Sequence, residues 1–570
     1  MSEQPTKPYG GELVNLLMDH EQKTKIKDES IHWPSWQLTP RQLGDVELLI
    51  TGGFSPLRGF LCRKDYDNVL QDMHLSDGTF WPIPVTLDIS EDLARGLSKN
   101  DKLVLRDLFG VAVAILTVED LWQPGLTREA ENVYGTDDPL HPGVAYLREH
   151  VRRWYVGGDV RGIERPLHYD FSEIRLSPEQ VRSRIQSMGW KKVIAYDPRK
   201  PMHRAQVEQT ISAMNELGAK LLINPTVGQT KTGDVEHFAR VRCYQSVIPR
   251  YPKNHVFLSL LPFSSRFAGP REAALLAIIH RNHGCTHMLI YEDLASPFPH
   301  NGSRRFYKPD EAYDLCEMHK DTIGIIPLPC KTMVYLPSSR RWCAKDQAPS
   351  GEKTQSLSQD EISKRLERNE DIPESLSYPE VLDELRKARP PRLRQGFTVF
   401  CTGLPSAGKS TVAQVLMIRL LESGNRPVTL LDGDIVRTHL SSELGFSRHD
   451  RDLNIRRIGF VASEITKNGG VAICAPIAPY DTVRREVREM IEAKGGFILV
   501  HISTPVSVCE KRDRKGLYAK ARAGLIKEFT GVSDPYEPPN DAQVEVDTSE
   551  SSPVECTEKI LDYLRQQGYL

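Results

Sequence analysis

The sequence predicts a multidomain α/β protein: a β-rich amino-terminal module, a parallel α/β domain behind it, and a second, unrelated α/β domain at the carboxy terminus. Three observations carry that prediction. Short β-like runs bounded by turn residues fill residues 1–168, and from 169 to 340 apolar strand candidates alternate with helical stretches. Past Gln395 the alternation resumes around a glycine-rich loop. The chain has 570 residues, ample for several buried cores.

Taken in order, residues 80–87 (Phe-Trp-Pro-Ile-Pro-Val-Thr-Leu) and 102–106 (Lys-Leu-Val-Leu-Arg) read as strands of the first module. In the second region the strand candidates are residues 192–196, 220–223, 255–258 and 287–290. Residues 271–283 read as a helix with Ala273, Leu276, Ile278 and Ile279 on its apolar side. Residues 341–394 are polar, rich in Ser, Glu, Lys and Pro, and end in Arg389-Pro390-Pro391-Arg392. They are expected to form a small helical domain and a linker, because paired prolines stop helices and stiffen connections. Residues 395–570 form the last domain, and no internal repeat is visible.

Composition narrows the function. Hydrophobic residues make up 39% and charged residues 26%, with 74 Lys plus Arg against 76 Asp plus Glu, a formal charge of -2. Nothing in that balance favours nucleic acid or an anionic membrane, so small-molecule chemistry is expected. The ten cysteines include no C-x-x-C pair, which removes the usual zinc and thioredoxin-type readings. The first thirty residues are polar, and no run of about eighteen apolar residues occurs, so a soluble cytoplasmic protein is expected.

The strongest motif lies in the last domain. Residues 397–402 (Phe-Thr-Val-Phe-Cys-Thr) read as a strand running into Gly403-Leu404-Pro405-Ser406-Ala407-Gly408-Lys409-Ser410 and then into a helix ending before Gly424. This is G-x-x-x-x-G-K-S in its strand–loop–helix setting. Such a loop turns backbone N–H groups towards a polyphosphate and adds the positive end of the following helix. Gly403, Ser406, Ala407, Gly408, Lys409, Ser410 and Thr411 are the candidate ATP–Mg²⁺ residues, with Lys409 on the β- and γ-phosphates and the Ser410 hydroxyl on Mg²⁺. The next strand candidate, residues 428–431, delivers Asp432-Gly433-Asp434. Carboxylates placed there bind Mg²⁺ or accept a proton from an acceptor hydroxyl, and one of them also suits a helix N-cap. No Asn-Lys-x-Asp guanine motif follows, which disfavours a GTPase.

Residues 395–570 resemble adenosine 5′-phosphosulfate (APS) kinases over their whole length. The matching pieces are the loop 403–410, Asp432-Gly433-Asp434 with Arg437, and Asp450-Arg451-Asp452-Leu453-Asn454-Ile455-Arg456-Arg457. Ala475-Pro476-Ile477 with Pro479-Tyr480, Lys515-Gly516-Leu517-Tyr518-Ala519-Lys520 and Phe529-Thr530-Gly531 also match. The resemblance implies that Arg437, Phe446, Arg451, Asn454, Pro476 and Ile477 line an APS pocket, and that residues 515–527, with Lys527, form a lid. It also implies Lys409, Asp432 and Asp434 as catalytic groups, and ATP with Mg²⁺ as co-substrate and cofactor. The family commonly has Ser where this chain has Ala478, which excludes a route through a phosphoserine at that position.

Residues 1 to about 390 resemble ATP sulfurylases, the enzymes that make APS from ATP and sulfate. The matching pieces include Gly52-Gly53-Phe54-Ser55-Pro56-Leu57, Thr230-Lys231-Thr232-Gly233-Asp234, Arg266-Phe267-Ala268-Gly269-Pro270-Arg271-Glu272 and Ser377-Tyr378-Pro379-Glu380-Val381. The implied folds are a β-rich PUA-like module and a nucleotidyltransferase-type α/β domain. Two catalytic motifs depart from the family. Q-T-R-N-P-x-H-x-x-H is here Asp197-Pro198-Arg199-Lys200-Pro201-Met202-His203-Arg204-Ala205-Gln206, and G-R-D-H-A-G-P is Tyr291-Glu292-Asp293-Leu294-Ala295-Ser296-Pro297. Arg199, His203 and Arg266 remain as a degenerate site, and loss of a transition-state donor usually costs on the order of a hundredfold. The expected protein is an APS kinase, a homo-oligomer without nucleic-acid or membrane partners, fused to a sulfurylase-like domain that is inactive or strongly impaired. One alternative is a fully bifunctional enzyme making 3′-phosphoadenosine 5′-phosphosulfate (PAPS) from sulfate. The other is a regulatory protein whose two sites only bind nucleotides.

Overall fold

The structure, a computed structural model, describes residues 6–228, 237–297, 305–388, 390–424, 426–513, 515–526 and 528–570. The chain forms two compact units. One contains most of the chain up to Leu357 together with Pro373–Glu384, and the other contains Ser358–Ile372 and Leu385–Leu570. The 341–394 stretch is therefore divided between the units. Its helices are Gln359–Glu367 in the second unit and Pro379–Ala388, which begins in the first.

The first unit opens with seven short strands, β1 (Ser35–Gln37), β2 (Gly59–Phe60), β3 (Leu87–Ile89), β4 (Lys102–Arg106), β5 (Ala112–Thr117), β6 (Asp120–Trp122) and β7 (Trp154–Gly162). The long strand β7 is the hub and pairs antiparallel with β2, β3, β5 and β6. Residues 80–87 do not form the expected strand, since only residues from Leu87 onward join the ladder. Pro82 and Pro84 lack the N–H a ladder needs. The stretch is instead pinned by burial of Trp81, edge-on to Phe54 at 5.9 Å, and by Arg271, which donates to the Pro82 carbonyl at 3.2 Å.

Behind this module five parallel strands, β8 (Val193–Tyr196), β9 (Lys220–Ile223), β10 (Val256–Leu258), β11 (His287–Ile290) and β12 (Ile326–Pro329), stand in the order β10-β9-β8-β11-β12. The helix expected at 271–283 runs Gly269–Asn282, started two residues earlier by Pro270 in its first turn. The texture change near residue 168 is not a gap in packing. One hydrophobic core runs from Phe54 and Trp81 to Leu275 and Ile279. Asn282 also donates to the Gly53 and Ser55 carbonyls, both at 3.0 Å. A two-stranded ladder, β13 (Met333–Leu336) and β14 (Arg341–Ala344), closes this unit's sheets.

The second unit holds five parallel strands, β15 (Phe397–Gly403), β16 (Val428–Asp432), β17 (Val471–Ala475), β18 (Gly496–Ile502) and β19 (Val544–Val546), in the order β16-β17-β15-β18-β19. Helices Lys409–Ser423 and Pro553–Gln566 share one core with the sheet, and Arg448–Lys467 and Asp481–Glu492 share another. The first strand in sequence, β15, lies centrally and all seven of its residues are buried. The order reverses beside it, which opens a crevice at its carboxyl end.

The hub strand makes a sharp test. Gly158 has φ +148°, and a Cβ there would lie 1.9 Å from the Thr117 carbonyl oxygen. Gly158→Ala is expected to destabilise the first unit by about 3 kcal/mol, through strain and overpacking together. A thermal or urea midpoint unchanged from the parent would refute this account.

Candidate active site

The loop after β15 is set by two left-handed residues, Ser406 at φ +62° and Gly408 at φ +99°, and leads into the helix Lys409–Ser423. Thr411 lies in the first turn of that helix. Lys409 is buried, and its ammonium donates to the carbonyls of Gly403 at 3.0 Å and Leu404 at 2.8 Å. Burial pushes its pKa down to about 8, against the opposing pull of Cys509, Cys401 and Asp432. Both hydrogen-bond acceptors are uncharged, so the full positive charge remains to meet an anion.

Ser410 donates from Oγ to Asp432 Oδ2 at 2.6 Å, and Asp432 Oδ1 accepts the N–H of Asp434 at 3.0 Å. Asp432 thus caps the helix Gly433–His439 and holds the Ser410 hydroxyl at once. Asp434 is exposed and ion-paired with Lys515. Among the described residues no group of three or more His, Cys, Asp and Glu forms a metal cage. Ser410 and Asp432, with phosphate oxygens, are the hard oxygen donors that suit Mg²⁺.

The residues expected around the acceptor fall on adjacent elements. The Arg437 guanidinium lies 4.6 Å from the centre of the Phe446 ring, which is 71% exposed. Arg451 pairs with Asp534 at 2.9 Å and donates to Tyr480 Oη at 3.1 Å and Thr530 Oγ1 at 3.0 Å. Asn454, one turn further along Arg448–Lys467, is buried, and its Oδ1 has no hydrogen-bond partner among the described residues. Pro476 and Ile477 follow β17, and the Ile477 carbonyl accepts from Thr402 Oγ1 at 2.7 Å. Ala478 takes φ +45°, and its carbonyl accepts from Arg484 at 2.8 Å. Lys527 lies outside the described residues, as does the 230–234 motif. The Thr402, Tyr480 and Asp534 contacts escaped sequence reasoning, because no local pattern marks a partner so far along the chain.

The crevice of the first unit lies where its strand order reverses, at the ends of β8 and β11. Arg199 is mostly buried there, donating to Glu272 Oε1 and Ser265 Oγ, both at 2.6 Å, with Asp197 Oδ2 at 3.8 Å. Arg266 is buried against Asp45 at 2.5 Å. The three expected site residues therefore have built-in partners, since His203 Nδ1 also meets Ser377 Oγ at 2.7 Å. Gln206, where the family has a second His, accepts the His203 N–H at 3.0 Å. Asp197 is buried, and desolvation raises its carboxyl above the usual range despite Arg199. Tyr291 donates to the Asp197 carbonyl at 3.1 Å, so the two altered motifs touch.

Fold and site together define a P-loop kinase domain joined to a second nucleotide-type α/β unit. The family descriptions agree region by region: PUA-like domain over residues 6–165, ATP-sulfurylase over 172–388 and adenylylsulphate kinase over 395–547. Sulfate adenylyltransferases of Phaeosphaeria nodorum and Neurospora crassa are 45% and 43% identical over 567 residues, covering 99% of both chains in each case. A hexameric APS kinase from Thiobacillus denitrificans is 39% identical and superposes over 100% of both chains with a TM-score of 0.80. The chain belongs to the sulfate adenylyltransferase family, in the form that carries a carboxy-terminal adenylylsulphate kinase domain. Among the described residues, no helix is long and apolar enough to cross a membrane.

Because burial pushes the Lys409 pKa down to about 8, nucleotide affinity is expected to depend on pH in that range. A phosphate requires the ammonium, so affinity must fall as pH rises through that value. Mg·ADP affinity is expected to drop about tenfold between about pH 7 and about pH 9, and Lys409→Met to flatten the profile. Calorimetry across that range checks it, and a flat wild-type profile would sink the assignment.

Proposed function

We propose that the protein is an APS kinase, transferring the γ-phosphoryl group of MgATP to the 3′-hydroxyl of APS to give ADP and PAPS. The observation that carries this reading is the buried Lys409 ammonium, held among the described residues by neutral carbonyls, beside the Ser410–Asp432 pair. In the transfer the 3′-oxygen bonds to the γ-phosphorus as the bridge to the β-phosphate breaks. Lys409 neutralises charge growing on the phosphoryl oxygens. Mg²⁺, held by Ser410, Asp432 and phosphate oxygens, would supply further positive charge there. Asp432 has both carboxylate oxygens engaged, whereas Asp434 is exposed at the helix start. Asp434 is therefore assigned the 3′-hydroxyl proton, with Lys515 steadying it. Arg437 and Arg451 take the phosphosulfate, the exposed Phe446 ring offers a face to adenine, and Asn454 Oδ1 accepts from the ligand. The likeness to a hexameric APS kinase over the full chain supports a homo-oligomer.

For the first unit the proposal is lost or strongly impaired sulfurylase activity. Arg199 and Arg266 are already answered by Glu272, Asp197 and Asp45. Anionic substrates would have to displace those carboxylates, and Tyr291 occupies the place of a glycine against Asp197. The names of the relatives favour the bifunctional alternative, so one experiment addresses both. Full-length protein with ATP and Mg²⁺ receives either APS, or sulfate with pyrophosphatase. PAPS is expected from APS alone. PAPS from sulfate would overturn the impaired reading, and none from APS would overturn the kinase.

A further inference from the structure

The carbonyl oxygen of Ala407, just before Gly408-Lys409, is the end of a chain of donors from two remote segments. Thr548 follows β19, and its Oγ1 donates to that oxygen at 2.8 Å. Thr504 follows β18, and its Oγ1 lies 3.1 Å from the same oxygen and 2.9 Å from Thr548 Oγ1. The Thr548 N–H donates to Thr504 Oγ1 at 3.1 Å. Behind them Arg512, the last residue of the helix Val506–Arg512, donates to Thr548 Oγ1 and to the Thr548 carbonyl, both at 2.7 Å. Arg512 takes one lone pair of Thr548 Oγ1 and a Thr504 hydroxyl can take the other, an arrangement that leaves the Thr548 hydroxyl proton for Ala407, the shorter of the two contacts to that carbonyl.

Holding this carbonyl fixes the Ala407–Gly408 peptide plane, and in a trans peptide the Gly408 N–H then points the opposite way. That N–H is among the loop donors that meet a polyphosphate. Gly408 itself is pressed on Thr548, since a Cβ there would lie 3.1 Å from both Thr548 Cγ2 and Oγ1. Nothing in the loop motif marks Thr504, Arg512 or Thr548. We propose that Thr548, oriented by Arg512 and braced by Thr504, is a positioning residue that aims the loop's N–H groups at the phosphoryl donor. This rests on the kinase reading of the same site.

The test uses full-length Thr548→Val, which removes the hydroxyl at nearly constant shape, and Thr548→Ser, which keeps it. With ATP and APS varied separately, the Val variant is expected to lose about tenfold in kcat/KM for ATP, with KM for APS changed less than about twofold. The Ser variant should stay within about threefold of wild type. An unaltered Val variant, equal losses in Val and Ser, or a matching rise in KM for APS would each overturn the proposal. Should Thr548→Val melt early, Arg512→Met replaces it, with the same loss expected and the same outcomes overturning. Mg·ADP affinity by calorimetry reads the loop without turnover. A protein that forms no PAPS but loses ADP affinity in the Val variant would refute the kinase reading and keep the clamp.

Discussion

Lys409 holds an ammonium out of water with two backbone carbonyls as partners, and much of the second unit is arranged so that this position can be kept. A buried, unpaired charge is costly, and its lowered pKa expresses that cost. The loop carbonyls lower the cost without cancelling the charge. Strand β15 fixes where those carbonyls sit, because all seven of its residues are buried between β17 and β18. The left-handed turns at Ser406 and Gly408 let one short loop present carbonyls to the lysine and N–H groups to the crevice.

The first unit starts from the same architecture and reaches the opposite electrostatic result. It too is a parallel sheet with a reversal of strand order and arginines at the crevice. Its cations are met by carboxylates: Arg199 by Glu272 and Asp197, and Arg266 by Asp45. On the proposed reading, charge answered in this way inside the fold is less available to a triphosphate or sulfate. The contrast lies in Lys409, met by carbonyl dipoles, against Arg199 and Arg266, met by carboxylates; it does not extend to Arg451, which is paired with Asp534 in the kinase crevice.

Sequence alone conveyed the parts of this that are local. The alternation of apolar runs with helical stretches places β8, β9, β10 and β11 within a residue of where they fall, and the loop motif finds Lys409 and Ser410 because its spacing is contiguous. The failure at residues 80–87 is instructive. Apolar alternation mimicked a strand, while two prolines and a buried tryptophan decided otherwise. The twofold use of Asp432, as cap and as partner of Ser410, was half legible, since either role suits a carboxylate at a strand end. The pairing of Arg451 with Asp534 and the touch of Tyr291 on Asp197 were not legible at all. They depend on which loops meet at a sheet edge, which is tertiary information. Likewise a change in texture near residue 168 says nothing about whether two regions share a core, and here they do.

The altered crevice also shows why a retired site, on the proposed reading, is hard to revive. Glu272 accepts from Arg199, Ser265, the Arg266 N–H at 2.8 Å and the Ala268 N–H at 3.1 Å, so it holds the start of the helix Gly269–Asn282 as well as a site arginine. Exchanging Asp197 for an amide would leave Arg199 bound to Glu272. Removing Tyr291 would leave a hole beside Tyr196, whose ring centre lies 6.4 Å away. Groups in one hydrogen-bonded network do not add independently. The effect of restoring a glycine at Tyr291 therefore depends on its neighbours and starts with a loss of packing. On the proposed reading, Arg199, Arg266 and Glu272 serve as partners of one another and of the helix start, so a framework that matches the family persists around an altered site.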